Sequence, residues 1–235
     1  AAQAAEVKVL SAGAVRKVVT DLAEAFRRET GHTVTLTFGT VGAVREKLRA
    51  GEPADVLIMT DAAIDELARQ GAVAPGTRTD LARAGIGVGV REGAPRPDIS
   101  TPEALKQTLL AAKSLVYMDP ARGATSGIHF AGVLQRLGIA EAVKGKSRLW
   151  PSGYAAEVVA KGEAELVVHQ ISEILPVKGV TLVGPLPRDL QKLTIYSAGL
   201  AARSAAPEAA RAFIAFMARP SFKGKFAEAG LDYRE

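Results

Sequence analysis

Short apolar runs alternate with amphipathic stretches along the whole chain, and that alternation predicts an α/β protein built from β-α-β units on mostly parallel sheets. Residues 7–10 (VKVL) read as a strand. Residues 15–29 read as a helix, because Val15, Val18, Val19, Leu22 and Phe26 recur at three- and four-residue spacing on one face. Between them lies a loop of Ser11, Ala12, Gly13 and Ala14. Residues 33–38 form the next predicted strand, 39–42 a second tight loop and 43–50 a second helix; residues 55–59 and 62–70 repeat the unit. Residues 84–91 are a longer extended segment. Ser100, Thr101, Pro102 and Glu103 then supply a cap, a proline for the first turn and an early acidic residue ahead of a helix over 104–112.

The pattern then begins again. Residues 115–118 are a strand, 119–125 a loop and 127–137 a helix, and residues 154–161 and the apolar strand 166–169 continue the alternation. A short strand at 182–183 precedes a second long extended segment, 194–202, and helices over 207–218 and 221–229 finish the chain. Two α/β blocks separated by two extended segments predict two lobes, residues 1–87 with 198–235 and residues 88–197. Two strands, near 85–91 and 194–200, would join them as a hinge, with the terminal helices packed back on the first lobe. A single continuous sheet fits the same periodicity.

Composition narrows the function. Of 235 residues, 48% are hydrophobic and 23% charged, as in ordinary globular proteins, and no apolar run approaches the ~18 residues of a membrane helix. The formal charge of +5 favours anionic partners only where it is focused, and here basic residues alternate with acidic ones, as in DLAEAFRRE and VREKLRAGE. Aromatic residues make up only 5%, few platforms for stacked bases, so nucleic acid is not an expected partner. The absence of cysteine excludes thiol catalysis, disulfides and thiolate metal sites. The start, AAQAAEV, is a small-residue stretch such as remains after removal of a signal peptide, which predicts an exported, periplasmic protein.

In an open α/β sheet the ligand crevice lies beyond the carboxyl ends of the strands, where loops lead into helix N-termini. Four loops rich in small residues meet that description: Ser11 to Ala14, Gly39 to Gly42, Arg122 to Ser126, and Ser152 with Gly153. Helix N-termini carry unpaired N–H donors and roughly +0.5 charge, so several that converge hold an anion without any charged side chain. The candidate ligand-binding residues are therefore Gly13, Ala14, Arg16, Thr40, Val41, Gly42, Arg122, Thr125, Ser126, Ser152, Tyr154 and His169. Arg16 and Arg122 could each fork onto a carboxylate, although a solvated helix face is the common fate of such arginines.

Other chemistry finds less support. Gly85-Ile86-Gly87-Val88-Gly89 lacks the third glycine of a dinucleotide loop and no helix follows it directly, so it reads as a hinge strand, and no cofactor is expected. No serine sits in a G-x-S-x-G elbow, and Ser126 reads as a helix cap and binding group instead of a nucleophile. Of three histidines, none shares the short helical spacing of a metal motif. His32 reads as surface filler and His129 as facing either the crevice or solvent. His169 ends an apolar strand where the crevice should lie, as a ligand group or as a satisfied strand-end histidine.

Together, VKVLSAGAVRKVVTDLAEAF, TFGTVGAVREKLRAGEPADVLIMTD, ARGATSGIHFAGVLQRLG and AELVVHQISE resemble the periplasmic molybdate-binding proteins, type II solute receptors of ABC importers, across almost the whole chain. The GEPADVLI string is the most specific element. The resemblance implies two lobes joined by two strands, a monomer with an ABC permease as partner, and an oxyanion held in the closed cleft by serine hydroxyls, backbone N–H groups and a tyrosine. Those positions fall here on Ala14, Val41 and His169, and only Ser126 keeps a site that serves mainly through its backbone. Each lost hydroxyl donor leaves an oxyanion oxygen unpaired at ~1–3 kcal/mol, so the expected ligand is a small organic carboxylate rather than molybdate or tungstate. The aconitate isomerases among the relatives imply an alternative, in which His169 is the general base and Arg122 and Arg16 clamp carboxylates. A transcription-factor effector domain shares the fold, but no helix-turn-helix precedes Val7.

Overall fold

The computed structural model describes residues 3–232. The first two residues of the small-residue start, and residues 233–235 of the expected first lobe, lie outside the described residues. The chain divides into two compact units, residues 1–84 with 194–235 and residues 85–193. The passages between them, expected after residues 87 and 197, fall after Ala84 and after Leu193.

The first unit opens with β1 (Glu6–Ala12), α1 (Arg16–Thr30), β2 (Thr33–Gly39), α2 (Val41–Arg49), β3 (Val56–Thr60), α3 (Asp61–Arg69) and β4 (Thr79–Ala84). The predicted helix face of α1 is the buried one. Val18, Val19, Leu22 and Phe26 are sealed in the core, at about 1.5–3 kcal/mol for each large side chain removed from water. Gly31 ends the helix in the left-handed region at φ 82°, which a side chain would resist. Three parallel strands, β2, β1 and β3, lie side by side. β10 (Thr194–Leu200) returns antiparallel between β3 and β4, giving the order β2-β1-β3-β10-β4. The terminal helices α9 (Pro207–Met217) and α10 (Lys223–Glu228) close this core, with Phe213 and Phe216 ring centroids 5.1 and 5.3 Å from Phe26.

The second unit repeats the plan. It contains β5 (Ile86–Arg91), α4 (Pro102–Ala111), β6 (Leu115–Met118), α5 (Thr125–Arg136), α6 (Ala140–Lys144), β7 (Ser147–Trp150), α7 (Ala156–Ala160), β8 (Leu166–Gln170), α8 (Ile171–Ile174) and β9 (Val180–Pro185). β7, β6 and β8 are parallel, and β5 lies antiparallel between β8 and β9, in the order β7-β6-β8-β5-β9. In each sheet the antiparallel strand, β10 or β5, begins just after a passage between units. Thr101 caps α4 as expected, its hydroxyl accepting the Ala104 N–H at 3.0 Å, with Pro102 in the first turn.

The glycines of β5 have a packing reason. A Cβ at Gly87 would stand 2.8 Å from the Ile171 side chain and 2.9 Å from the Gly184 carbonyl oxygen, and one at Gly89 would stand 2.9 Å from Val167 and Val180. Their bare faces let α8 and β9 close over the strand. At the start of β5, the Gln191 side chain imitates a neighbouring strand, accepting the Ile86 N–H at 2.9 Å and donating to the Ile86 carbonyl at 2.8 Å. Gln191→Leu leaves the Ile86 N–H without its acceptor, while the Ile86 carbonyl keeps the Leu186 N–H at 3.0 Å, and is expected to cost about 1–3 kcal/mol, read as a lower urea midpoint with an unchanged m-value.

Candidate functional site

β1 and β2 run parallel in register to Ala12 and Gly39, so the segments that follow them open on one edge of the first sheet. After β1 the chain tightens into a 3-10 turn, Gly13–Val15, and enters α1 directly. Ala14 is buried there, and Gly13 and Arg16 are half-buried. The Arg16 guanidinium lies over the Phe38 ring, 4.6 Å from its centroid. After β2, Thr40 caps α2 by accepting the Ala43 N–H at 3.0 Å. Two expectations need correction here. Ser11 belongs to β1, fully buried with its hydroxyl donating to the Ala12 carbonyl, and the loop expected at 39–42 shrinks to Thr40, because Gly39 ends β2 while Val41 and Gly42 begin α2.

In the second unit β6 pairs with β7 and β8 on either side, Met118 beside Trp150 and Tyr117 beside Val168, so three strands end on one edge. This brings Arg122, Thr125, Ser126, Ser152, Tyr154 and His169 to that edge. Asp119 accepts the Ala121 N–H at 3.0 Å and caps the 3-10 turn Pro120–Arg122, which leaves Arg122 exposed at its end. Burial, reinforced by the Asp119 charge, pushes the Tyr117 phenol above its ordinary value.

Ser126 is not the cap of α5. The cap position is Ala124 and the helix begins at Thr125, two residues before the expected start. The reason is Gly127, whose missing side chain lets the first turn press against the last carbonyl of β6. Ser126 is 3% exposed, and its hydroxyl makes no hydrogen bond among the described residues. The first-turn N–H groups of Thr125, Ser126 and Gly127 have no intrahelical acceptor, and they carry the positive end of a three-turn helix. Ser152 is exposed, and Tyr154 is half-buried just before α7.

His169 is 2% exposed at the end of β8. Its Nε2 lies 2.8 Å from Oε2 of Glu173, which is 6% exposed, and its Nδ1 is buried with no hydrogen-bond partner among the described residues. The other two histidines are structural pins, which corrects both expectations. His32 is half-buried, its Nδ1 accepts the Ala5 N–H at 2.9 Å, and its ring lies 5.7 Å from Phe26. His129 reaches across to the Leu190 carbonyl, 2.7 Å from Nε2. Among the described residues no three His, Asp or Glu side chains gather as metal ligands do.

Three residues that matter here escaped the sequence reading. Glu173 carried a signal, the four-residue spacing from His169. Gln191 carried none, since its partner lies 105 residues away. Asp55 lies inside the GEPADVLI string and is buried. Its carboxylate accepts the Lys8 N–H at 2.7 Å, the Ser204 hydroxyl at 2.6 Å and the Ala205 N–H at 3.2 Å, tying β1, β3 and the segment after β10 together.

Two sheets of one strand plan, each with helix starts gathered on its carboxyl edge, define the two-lobed α/β fold of type II periplasmic binding proteins. The solved Azotobacter vinelandii periplasmic molybdate-binding protein superposes with a TM-score of 0.82 at 22% identity, covering 97% of this chain and 100% of that one. Residues 7–232 match the family of bacterial extracellular solute-binding proteins, and the chain belongs to that family. Among its relatives, an aconitate isomerase from a Pseudomonas species is 36% identical over 229 residues, covering 95% of this chain and 86% of that one. The molybdate-binding protein ModA of Azotobacter vinelandii is 32% identical over 176 residues, covering 74% and 68% respectively. This is a solute-binding protein of the kind that serves ABC importers, from an extracytoplasmic family, and no helix among its described residues is long and apolar enough to cross a membrane.

Proposed function

We propose that this chain captures a small organic polycarboxylate rather than molybdate, using donors of the kind found on the carboxyl edge of each sheet. The observation that carries the reading is the pair at the end of β8, a buried imidazole on a buried carboxylate where the resemblance places a tyrosine hydroxyl. Ala14 and Val41 add apolar surface in place of two more hydroxyls, which starves a tetrahedral metal oxyanion and suits a carbon skeleton. Helix N–H groups at Thr40 to Gly42 and Thr125 to Gly127 supply donors for carboxylate oxygens. Gly13, Arg16, Arg122, Ser152 and Tyr154 complete the proposed contacts. The protein then acts as a monomeric extracytoplasmic receptor, delivering its ligand to an ABC permease.

A bound ligand stabilises the fold by RT ln(1 + [L]/Kd), about 2.7 kcal/mol at a hundredfold excess over Kd. Citrate, tricarballylate and both aconitates are therefore expected to raise the melting temperature, and molybdate, tungstate and sulfate to leave it unchanged. Tight molybdate binding in calorimetry, with no carboxylate response, would overturn the reading.

One observation favours a second reading, an aconitate-type isomerase: His169 Nδ1 is buried with no hydrogen-bond partner among the described residues, as a general base waiting for its substrate would be. Relationship to an isomerase over 95% of the chain supports it. His169 would take a proton from the CH₂ of trans-aconitate. The C–H electron pair becomes the new double bond, and the pair of the old double bond takes the proton back at the far carbon, with no oxidant or cofactor. Formation of the cis isomer, followed by proton NMR and lost in His169→Ala, is the expected result; a wild-type protein that binds aconitate and leaves it unchanged would be a receptor only.

A further inference from the structure

A buried carboxylate is an odd companion for an anion site, because it repels the ligand and loses its own hydration. Glu173 is such a group. It lies on α8, four residues after His169, with Oε2 2.8 Å from the imidazole Nε2. An ionised carboxylate only accepts, so the hydrogen in that bond resides on Nε2, and a neutral ring then keeps its lone pair on Nδ1. Nδ1 is the buried atom with no partner among the described residues.

The backbone that carries the pair is also closely packed. His169 is paired with Gly87 across the β5–β8 ladder, and the Ile171 and Leu182 side chains lie over the bare Gly87, at 2.8 and 3.0 Å from where its Cβ would be. Strand β8 and the start of α8 thus set His169 and Glu173 side by side, with Nε2 on Glu173 and Nδ1 unsatisfied among the described residues.

We propose that Glu173 is a positioning residue: it holds the Nε2–H of His169 and so presents Nδ1 as the proton acceptor that meets the bound polycarboxylate. This rests on the carboxylate reading above and names the atom that does the work. A base oriented by a carboxylate behind it is the arrangement that proton abstraction requires. When Nδ1 takes a proton, the resulting imidazolium is neutralised by Glu173 without any rearrangement.

The test uses the ¹⁵N-labelled full chain and long-range ¹H–¹⁵N correlations of the His169 ring, assigned by their loss in His169→Gln. In the wild-type protein Nε2 is expected to be protonated and Nδ1 bare. Tricarballylate, a saturated analogue that cannot isomerise, should move the Nδ1 signal most. Glu173→Gln can turn its amide N–H towards the ring and is expected to shift the proton to Nδ1; Glu173→Asp should keep the wild-type tautomer. With trans-aconitate, Glu173→Gln should lower kcat on the order of 10²–10⁴-fold with KM within about threefold, and Glu173→Asp should recover part of that loss.

A wild-type ring protonated on Nδ1 overturns the proposal, as does a tricarballylate complex, proved by calorimetry, that leaves Nδ1 unmoved. A folded Glu173→Gln with the wild-type tautomer and kcat does the same. The expected tautomer and Nδ1 shift without turnover would uphold the proposal and sink only the isomerase reading, whereas no carboxylate binding at all would sink the carboxylate reading and the proposal together. The wild-type spectra decide the matter even if a Glu173 variant fails to fold.

Discussion

Gly127→Ala is expected to destabilise the second unit by about 3 kcal/mol or more and to abolish its response to carboxylates. A Cβ at this position would fall inside the Met118 carbonyl oxygen and 2.8 Å from the Met118 carbonyl carbon. Both are backbone atoms of β6, which is pinned between β7 and β8, so the strand has no room to yield. The start of α5 must move instead, taking the N–H groups of Thr125 and Ser126 with it. Gly132, later in the same helix, has open space where its Cβ would be. Gly132→Ala should therefore stabilise by about 0.5–1 kcal/mol, as alanine does in an unstrained helix interior. Urea midpoints of the two variants, together with a thermal-shift screen, make the comparison; equal stabilities would mean that the contact between α5 and β6 does not constrain the fold.

Asp55→Ala is expected to be comparably damaging in the first unit, at about 3–5 kcal/mol. Its carboxylate is the common acceptor for Lys8 N–H, the Ser204 hydroxyl and Ala205 N–H, and removing it leaves three partly buried donors facing a cavity. Asp55→Asn keeps one acceptor oxygen but turns an amide N–H₂ towards donors, and it should recover only part of the loss. Ser204→Ala should cost about 1 kcal/mol alone and almost nothing on top of Asp55→Ala, since the partner has already gone. Additive effects in that double-mutant cycle would refute the shared-acceptor account.

The parts of this fold written in local pattern were legible. The face of α1, the strand 115–118, the Thr101 cap and the alternation of strand and helix all follow from residues close in sequence. β4, β7 and α6 were among the elements missed, each for a physical reason. β4 carries Asp80 and Arg83, which break its apolar pattern, yet Asp80 is satisfied by the Ser197 hydroxyl at 2.6 Å and by Arg78 at 2.9 Å. β7 is an edge strand with Arg148 and Leu149 exposed, so it lacks the apolar signature of a buried strand. α6 is a single turn of five residues.

Site legibility divides the same way. The loops were found because small residues before helices are a local signal. The roles of His32 and His129 were not, because Ala5 and Leu190 lie 27 and 61 residues away. Ser126 was misplaced as a cap because the start of α5 is set by Gly127 packing against the Met118 carbonyl, a contact between a helix and a strand that residue types alone do not reveal.

The position of β10 has a consequence for the order of folding. The second unit is one unbroken stretch, whereas the sheet of the first is interrupted until residues 194–200 insert between β3 and β4. Before then β3 has an open edge and β4 has no strand beside it, and the Ser197 to Asp80 bond spans 117 residues. Loop-closure entropy makes such pairings late and slow. Residues 85–193 can therefore complete their sheet before residues 194–200 arrive, and the unit assembled from two separated stretches is the last to close.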